Sequence, residues 1–369
     1  MIKLASPDIL AEDIKKVINV LKSGNLVQGE NVVLLEKELE NFSNLPYCTM
    51  VTSGTAALHL AMMALELPKG SSVIVPAFTF PASANVVENI CCETILCDVD
   101  PETYVVTPEM IEKTILANTK KNIKAIMIVH EFGQPVKIKE ISKIAKKYNL
   151  KLIEDAACAL GTMADGHHPG YYGDMACFSF HPRKAITTGE GGAIMTRSKE
   201  LDLKLKKLRN HGMEKTPDKI DFTLAGLNYR LTEFQAVLGL GQIKRFSKEL
   251  TKRKKLVEIY YQVLKNKKNL QLPLDETGNS WQSYMIVLDK SIDRHQIINQ
   301  MDKAGVQTSI GAQALNCLTY FQKKYGYKNE DFPVATRLFN KGLVLPLYGK
   351  LKSAEILLIA DELVKALDE

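Results

Sequence analysis

Lys184 is the residue of this sequence with the clearest chemical potential, because it lies between an apolar run and a group of glycines. Residues 176–180 predict a buried strand, and Pro182 ends it because proline has no N–H to give to a sheet. Thr187, Thr188 and three glycines follow, and such small residues let backbone approach a ligand closely. A lysine placed there loses solvation, which lowers its pKa and makes it a nucleophile able to form a Schiff base. The alternative is a solvated surface lysine, the usual state of this residue type.

Asp155 and Phe80 would complement a reactive lysine if the fold brought them near it. Asp155 closes a predicted strand at 150–153, and a carboxylate there could pair with a protonated pyridine nitrogen. Its alternative role is to cap the turn that follows. Phe80 could stack on an aromatic ring or could be plain core. Together with Lys184, these residues suit an aldehyde cofactor built on a pyridine ring.

A phosphate site is indicated at Gly54, Thr55 and Ser179. A predicted strand breaks at Ser53-Gly54 into a helix, and the free N–H groups and the dipole of a helix N-terminus attract anions. Ser-Gly-Thr is also an ordinary N-cap sequence, so the motif alone leaves both roles open. The sequence has neither the glycine fingerprint of a nicotinamide site nor a P-loop, which favours the aldehyde cofactor.

The elements that must position these residues alternate between strand and helix, with several uniformly apolar strands at 72–76, 94–97 and 125–129. This pattern predicts an α/β fold whose mostly parallel sheet is covered by helices on both faces. Ligands bind at the carboxyl ends of the strands in such sheets, and each candidate lies just past a predicted strand. We expect a polar loop at 210–221 and a helix at 332–343. The predicted division is a large cofactor-binding domain, 1–245, and a smaller α+β domain, 246–369.

Composition argues against several other classes of protein. The net charge of +6 is dispersed, so a solvated surface is expected and no nucleic-acid site. The seven cysteines form no Cys-x-x-Cys pair, which indicates neither a zinc site nor disulfides. No apolar run approaches about 18 residues, so no membrane span is expected. The first residues lack the pattern of a signal peptide, and we predict a cytoplasmic enzyme without a metal.

The motifs together resemble those of the DegT/DnrJ family from about residue 14 to 363. They occur in the family's order: Ser53-Gly-Thr-Ala-Ala-Leu-His-Leu-Ala61, Pro76-Ala-Phe-Thr-Phe80, Gly133-Gln-Pro135, Glu154-Asp-Ala-Ala157, Phe178-Ser-Phe-His-Pro-Arg-Lys184, Thr187-Thr-Gly-Glu-Gly-Gly192 and Asn228-Tyr-Arg-Leu-Thr-Glu233. The resemblance implies the aspartate-aminotransferase fold and pyridoxal 5'-phosphate as cofactor. It also implies an aminotransferase that acts on keto-sugars linked to nucleotides.

The resemblance assigns roles to individual residues. Lys184 is similar to the lysine that forms the Schiff base and then moves the proton between cofactor and sugar carbon. Asp155 matches the partner of the pyridine nitrogen, and Phe80 matches the stacking ring. The implied phosphate ligands are Gly54, Thr55, Ser179 and, from the second subunit of a homodimer with shared active sites, Asn228. Tyr229 and Arg230 are candidates for substrate contact. The alternative for these two residues and for Asn228 is packing at a helix start.

Two departures from the family pattern bear on the substrate. Cys158 stands where many members have a Gln or His that bonds the cofactor's ring oxygen, and a thiol is a weak donor. Residues 308–315 replace a stretch that helps to shape the sugar pocket. Lys184 itself is retained, whereas the family's dehydratase branch has His there.

The expected reaction takes the amino group of L-glutamate, by way of a pyridoxamine form, to a keto-sugar nucleotide. The acceptor implied most strongly is a 4-keto-6-deoxy sugar, for a polysaccharide, a glycan or a secondary metabolite. A keto-inositol aminotransferase is the first alternative. A non-catalytic regulator on the same fold is the second, against which the retention of Lys184 and Asp155 argues.

Overall fold

Strands and helices alternate along residues 1–368, the part of the chain that the computed structural model describes. The helices are α1 Ala11–Ser23, α2 Glu30–Ser43, α3 Gly54–Ala64, α4 Ala82–Asn89, α5 Pro108–Ala117, α6 Ile138–Lys147, α7 Lys199–Leu208, α8 Glu233–Ile243, α9 Phe246–Leu264, α10 Arg294–Lys303, α11 Thr319–Tyr325, α12 Pro333–Lys341 and α13 Ser353–Asp368. The strands are β1 Tyr47–Val51, β2 Ser72–Pro76, β3 Phe78–Thr79, β4 Glu93–Cys97, β5 Ile123–Val129, β6 Lys151–Asp155, β7 Met175–Ser179, β8 Gly192–Thr196, β9 Met213–Lys215, β10 Ile220–Phe222, β11 Leu270–Gln271, β12 Tyr284–Leu288, β13 Ser309–Ile310, β14 Gln313–Ala314 and β15 Gly342–Leu345.

The large sheet has the strand order β1-β8-β7-β6-β5-β2-β4 within the described residues. Its strands from β7 to β4 pair in parallel, whereas β8 runs antiparallel to both of its neighbours, β1 and β7. The predicted α/β fold with a mostly parallel sheet is therefore confirmed. In the register of β6 and β7, Asp155 lies opposite Cys177 at the carboxyl end of the sheet.

Apolar strands explain why this sheet lies in the middle of the molecule. β2, β8 and the second half of β5 are buried on both faces, as a sheet covered by helices on two sides requires. Helix α3 packs on β7 and β8 and is itself apolar on most of its surface, with the side chains of Leu58, Leu60 and Met62 buried. This burial holds the N-terminus of α3 against the ends of the strands that carry the candidate residues.

The C-terminal part of the chain builds a second sheet, β11-β12-β15-β13. Helices α9, α10 and α13 cover it, and Tyr260 of α9 stacks on Tyr284 of β12 with ring centroids 4.8 Å apart. β14 pairs instead with β3, so the two parts of the chain meet where β3 precedes α4. The proposed domain boundary at residue 246 falls between α8 and α9 and stays a prediction.

Two local predictions are wrong. The segment 210–221 is not simply a loop, because β9 and β10 form a hairpin there. The residues of this hairpin are mostly polar and do not alternate with apolar ones, so the sequence contains no strand signal at this point. The helix expected over 332–343 ends at Lys341, since the apolar residues from Gly342 to Leu345 form β15 and pair with both β12 and β13. Tertiary pairing overrides the helical pattern at this point.

Within residues 1–368, no helix combines the length and the apolar character that crossing a membrane requires. In the same described residues, no three His, Cys, Asp or Glu side chains gather as ligands of a metal ion would. All seven cysteines are free thiols.

Candidate active site

A cavity of about 390 Å³ opens at the carboxyl end of the large sheet and is closed on its other side by the C-terminal part. Seven of the ten residues singled out from the sequence line it: Gly54, Thr55, Phe80, Asp155, Cys158, Ser179 and Lys184. Strands β6 and β7, helix α3 and the turn before β8 supply most of them. The expectation that strand ends gather the candidate residues is therefore met.

Lys184 lies in the turn between β7 and β8, and a glutamine from the C-terminal part holds that turn on both sides. The Gln282 Oε1 accepts from the backbone N–H of Ala185 at 2.8 Å, and its Nε2 donates to the backbone oxygen of Arg183 at 2.8 Å. The lysine amine donates to the Cys158 Sγ at 3.0 Å. Gln282 thus holds the backbone on both sides of Lys184, while the lysine amine faces the cavity.

The charge around Lys184 differs from what the sequence predicted. Burial by itself lowers the pKa of the lysine, but the acidic groups of Cys158, Glu131 and Asp155 outweigh it, so that the pKa lies above the usual value. The expected lowering of the pKa is therefore wrong for the free lysine. Three acidic neighbours stabilise the ammonium more than lost solvation destabilises it.

Asp155 ends β6 with only 4% of its surface exposed. Its Oδ2 accepts from the Ser83 hydroxyl at 2.7 Å, and its Oδ1 accepts from the backbone N–H of Ala157 at 3.0 Å. Burial raises the pKa of this carboxyl, while Ser83, Ala157 and the Lys184 charge act in the opposite direction. Asp155 therefore caps its turn and also lines the cavity, and its pairing with a pyridine nitrogen stays a prediction.

The N-terminus of α3 forms a close backbone cradle. The Ser53 hydroxyl caps the helix by accepting from the N–H of Ala56 at 3.0 Å, and the Ser53 oxygen accepts from the N–H of Ala57 at 3.0 Å. The N–H groups of Gly54 and Thr55 have no partner within the described residues and can face a ligand. A Cβ on Gly54 would lie 2.8 Å from the Cβ of Ser179, and a Cβ on Gly192 would lie 2.3 Å from the Ser53 oxygen. Only glycine lets these segments approach so closely, and the geometry is that of a candidate anion site, whose role stays a prediction.

Phe80 and the segment 309–312 flank the cavity mouth. Phe80 lines the cavity and keeps 63% of its side chain exposed, so its ring is available to stack on a ligand. Ser309, Ile310, Gly311 and Ala312 also line the cavity. The stretch that departs from the family pattern thus contributes directly to the pocket.

The three predicted residues at 228–230 do not line the cavity of their own chain within the described residues. Asn228 is exposed and forms a bridge with the backbone of Asn210. The Tyr229 hydroxyl lies 3.1 Å from the Nδ1 of His59, and the Arg230 guanidinium donates to the Asn210 Oδ1 at 2.5 Å. Their proposed ligand contacts stay predictions.

Glu131 is the most important cavity residue that the sequence reasoning missed. It lies just after β5, and 6% of its surface is exposed. Burial raises the pKa of its carboxyl to about 7, against the opposing charge of Lys184. Its position just beyond the end of β5 was a usable signal in the sequence. His181, Arg183, Glu190 and Gln282 also line the cavity.

Comparison with known proteins decides the family. The model of the DegT/DnrJ/EryC1/StrS aminotransferase family matches residues 7–364. The chain belongs to this family. It is 33% identical to the GDP-perosamine synthase of Caulobacter vibrioides over 92% of this chain and 90% of that protein. It is 30% identical to the spore coat polysaccharide biosynthesis protein SpsC of Bacillus subtilis over 98% of this chain and 94% of that protein.

A solved structure supports the same assignment. PseC of Helicobacter pylori, an aminotransferase involved in the biosynthesis of pseudoaminic acid, superposes with a TM-score of 0.94 at 26% identity. The match covers 100% of this chain and 99% of that one. The predicted aminotransferase fold and the predicted class of enzyme are confirmed.

As a member of this family, the enzyme depends on pyridoxal 5'-phosphate, as the sequence predicted. The residues in the cavity fit that cofactor. Lys184 offers an amine for the aldehyde and Asp155 a buried carboxylate for the pyridine nitrogen. The glycine cradle at the start of α3, with the hydroxyls of Thr55 and Ser179, suits the phosphate.

Proposed function

We propose that this sugar aminotransferase moves the amino group of L-glutamate to a keto-sugar linked to a nucleotide, most favourably at a 4-keto-6-deoxy sugar. The observation that carries the proposal is Lys184 with its amine in a cavity that also holds Asp155 and the glycine cradle. Support for the sugar and the nucleotide comes from the similarity to GDP-perosamine synthase and to PseC. The volume of the cavity and its open mouth are compatible with an extended substrate.

The chain's own residues would divide the work as follows. Pyridoxal phosphate, when bound, supplies an aldehyde that condenses with amines and a ring that accepts electrons. The Lys184 Nζ would hold the cofactor and would take and return the proton at the reacting carbon. Asp155 would pair its carboxylate with the pyridine nitrogen, and the N–H groups at Gly54 and Thr55 with the Ser179 hydroxyl would hold the phosphate. Gln282 keeps Lys184 aimed by holding both of its flanks.

The proposed assembly is a homodimer with shared active sites. Asn228 is exposed and lies outside the cavity of its own chain, which is the placement that donation to a second subunit needs. Exposed apolar side chains on α1 and α2, among them Ile14, Ile18 and Val33, offer a surface for pairing. A cytoplasmic location stays a prediction from the sequence.

Borohydride trapping followed by peptide mapping tests the role of Lys184. The purified chain is loaded with pyridoxal phosphate, reduced and digested, and a single labelled peptide around Lys184 is expected. A label elsewhere, or none at all, would remove the proposed mechanism. A colourless protein that ignores added pyridoxal phosphate would favour a non-catalytic role.

The donor and acceptor need a separate assay. The loaded enzyme is incubated with L-glutamate and with dTDP-, UDP- or GDP-linked keto-sugars, and release of 2-oxoglutarate is followed. One equivalent of 2-oxoglutarate per bound cofactor is expected without an acceptor, and continued release is expected only with one of these acceptors. Release with a keto-inositol alone would change the acceptor class while leaving the chemistry of Lys184 in place.

A further inference from the structure

Arg183 differs from the other arginines of the chain in the state of its side chain. The sequence has eight arginines, and the guanidinium groups of the other seven each donate to an oxygen of a carboxylate, a side-chain amide or the backbone. Within residues 1–368, the Arg183 guanidinium has neither an ion pair nor a hydrogen bond. Arg183 is exposed and lines the cavity. Its five N–H donors are therefore available to a ligand in the cavity.

The backbone at Arg183 is fixed although its side chain has no partner. The N–H of Arg183 donates to the His181 Nδ1 at 3.2 Å, and the Arg183 oxygen accepts from the Gln282 Nε2 at 2.8 Å. The next N–H, that of Lys184, donates to the His181 oxygen at 2.8 Å. These bonds hold the base of the Arg183 side chain beside the reactive lysine without using the guanidinium. A position fixed in advance reduces the ordering that a ligand must cause when it binds.

The charged side chains that line the cavity leave one base for the substrate. Within the described residues they are two bases and three acids, namely Arg183, Lys184, Glu131, Asp155 and Glu190. The proposed function assigns the amine of Lys184 to the cofactor. His181 also lines the cavity, but burial lowers its pKa, and the charges of Arg183 and Lys184 lower it further against the opposing charge of Glu190. The His181 ring is thus neutral at neutral pH, and Arg183 is the permanent cation that remains for an anionic substrate.

The exposure of Arg183 distinguishes between the anions that enter the cavity. The cradle for the cofactor phosphate begins at Gly54, which is buried, whereas Arg183 lies where the cavity meets solvent. L-Glutamate is small enough to lie inside a cavity of about 390 Å³. A nucleotide-linked sugar is longer, so its nucleoside extends outwards while the sugar reaches Lys184, and its diphosphate lies between the two. A guanidinium is the side chain that matches two phosphate oxygens at once.

We propose that Arg183 binds the diphosphate of the nucleotide-linked acceptor, with two N–H groups on phosphate oxygens where the cavity opens. The inference rests on the proposed function, because it requires a nucleotide-linked acceptor. Arg183 is a substrate-binding residue and takes no part in moving the proton. It favours an acceptor with a diphosphate over an uncharged keto-sugar or a keto-inositol. Glu190 repels any anion at the cavity, so the affinity for the diphosphate depends on the guanidinium.

Binding of nucleoside diphosphates to the enzyme loaded with pyridoxal phosphate tests this contact without turnover. Isothermal titration calorimetry with UDP, dTDP and GDP selects the one that binds the wild type most tightly. Arg183→Gln should weaken its binding by roughly 10- to 100-fold, the effect of losing a charge-assisted pair. Arg183→Lys keeps the charge without the planar fork and should lie between the two. The matching nucleoside, which has no phosphate, should bind the wild type and Arg183→Gln equally.

Two controls distinguish a contact with the ligand from a structural role. The Arg183 side chain has no partner and its backbone bonds remain in the variants, so thermal unfolding and the affinity for pyridoxal phosphate should match those of the wild type. Arg197→Gln removes the same charge at an exposed position outside the cavity and should bind the nucleoside diphosphate as the wild type does. An Arg183→Gln variant that loses affinity for pyridoxal phosphate would make Arg183 a ligand of the cofactor and overturn the inference.

The half-reaction with L-glutamate separates the two substrates. The change in cofactor absorbance after glutamate is added should have the same rate and the same dependence on glutamate concentration in Arg183→Gln and in the wild type. A slower half-reaction with unchanged binding of the nucleoside diphosphate would assign Arg183 to a glutamate carboxylate and overturn the inference.

The binding data also separate this inference from the proposed function. If the wild type binds none of the three nucleoside diphosphates, the nucleotide-linked acceptor of the proposed function is wrong, and the inference falls with it. If the wild type binds one of them and Arg183→Gln binds it equally well, the inference alone is wrong.

Discussion

Glu154 and Asp155 are neighbouring carboxyl groups on β6 and almost equally buried, yet they face opposite sides of the sheet. The Glu154 Oε1 accepts from the N–H groups of Gly170 and Gly173 at 2.9 and 3.0 Å, and its Oε2 lies 2.9 Å from the His130 Nε2. Asp155 instead faces the cavity, with its remaining capacity open to a ligand. Burial alone therefore does not identify a catalytic carboxylate. What distinguishes the two is whether the protein itself uses all the acceptor sites.

The same contrast applies to Lys184 and the lysines on the surface. Most of the ion pairs in the described residues, such as that of Lys365 with Glu362, are exposed and contribute little to stability. Lys184 has a thiol and two carboxyl groups as neighbours in a cavity. The comparison between closed and open polar groups leads to four predictions.

Lys184→Ala should have the largest effect. It removes the amine that holds the cofactor and moves the proton, so the transamination rate is expected to fall by roughly 10⁴-fold, the upper range for an acid–base group. Lys365→Ala is the matched control on the exposed face and should leave the rate as it is. A Lys184→Ala variant that keeps a tenth of the wild-type rate would contradict the assignment.

Asp155→Asn should lower kcat by about 10²–10³-fold, because the pyridine nitrogen loses its anionic partner while the side-chain volume is conserved. Steady-state kinetics with saturating cofactor measure this effect. The free energy of unfolding of the Asp155→Asn variant should change little, since Asn can still accept from the N–H of Ala157. A kcat within a factor of two of the wild type would show that Asp155 is as structural as its neighbour.

Glu154→Gln should show the reverse behaviour. The Gln amide group would face N–H donors or His130, which leaves a buried polar group without a partner and costs about 1–3 kcal/mol of unfolding free energy. Urea unfolding measures the loss, and kcat per folded molecule should be close to that of the wild type. If kcat falls as far as in Asp155→Asn, the conclusion that Glu154 has a structural role and Asp155 a role in the reaction is wrong.

Cys158→Ala should have the smallest effect, a shift in the titration of Lys184. The thiol is one of the acidic neighbours that raise the pKa of this lysine, so its removal moves the pKa down and increases the free amine at neutral pH. The rate at which an amine reagent labels Lys184 in the cofactor-free chain, measured against pH, should rise at lower pH than in the wild type. An unchanged profile would mean that Glu131 and Asp155 alone set the charge of Lys184.

The accuracy of the sequence predictions depended on how local the signal was. β2 at Ser72–Pro76 has the predicted bounds, because its apolar run is flanked by polar and turn residues. The strand β15 was missed since its residues continue a helical pattern, and only pairing with β12 and β13 makes them a strand. The short helix α11 at Thr319–Tyr325 was not predicted either.

The site shows the same limit. Lys184, Asp155, Gly54 and Ser179 were found because strand ends in a parallel sheet share one edge. The pKa of Lys184 was predicted in the wrong direction, because Cys158 is 26 positions away and Glu131 lies on another strand end. The spacing of residues along the chain does not show which charged groups three separate segments bring close to one amine.

The sequence by itself determined the alternation of strands and helices in the large sheet, the amine, the carboxylate and the glycine turn, because these depend on residue type and on neighbours along the chain. The tertiary structure decided which acidic groups surround Lys184, and that the acceptor sites of Glu154 are used by the protein while Asp155 faces the cavity. Those properties are distances between segments far apart in the chain, and electrostatic and hydrogen-bond energies depend on distance and burial rather than on position in the sequence.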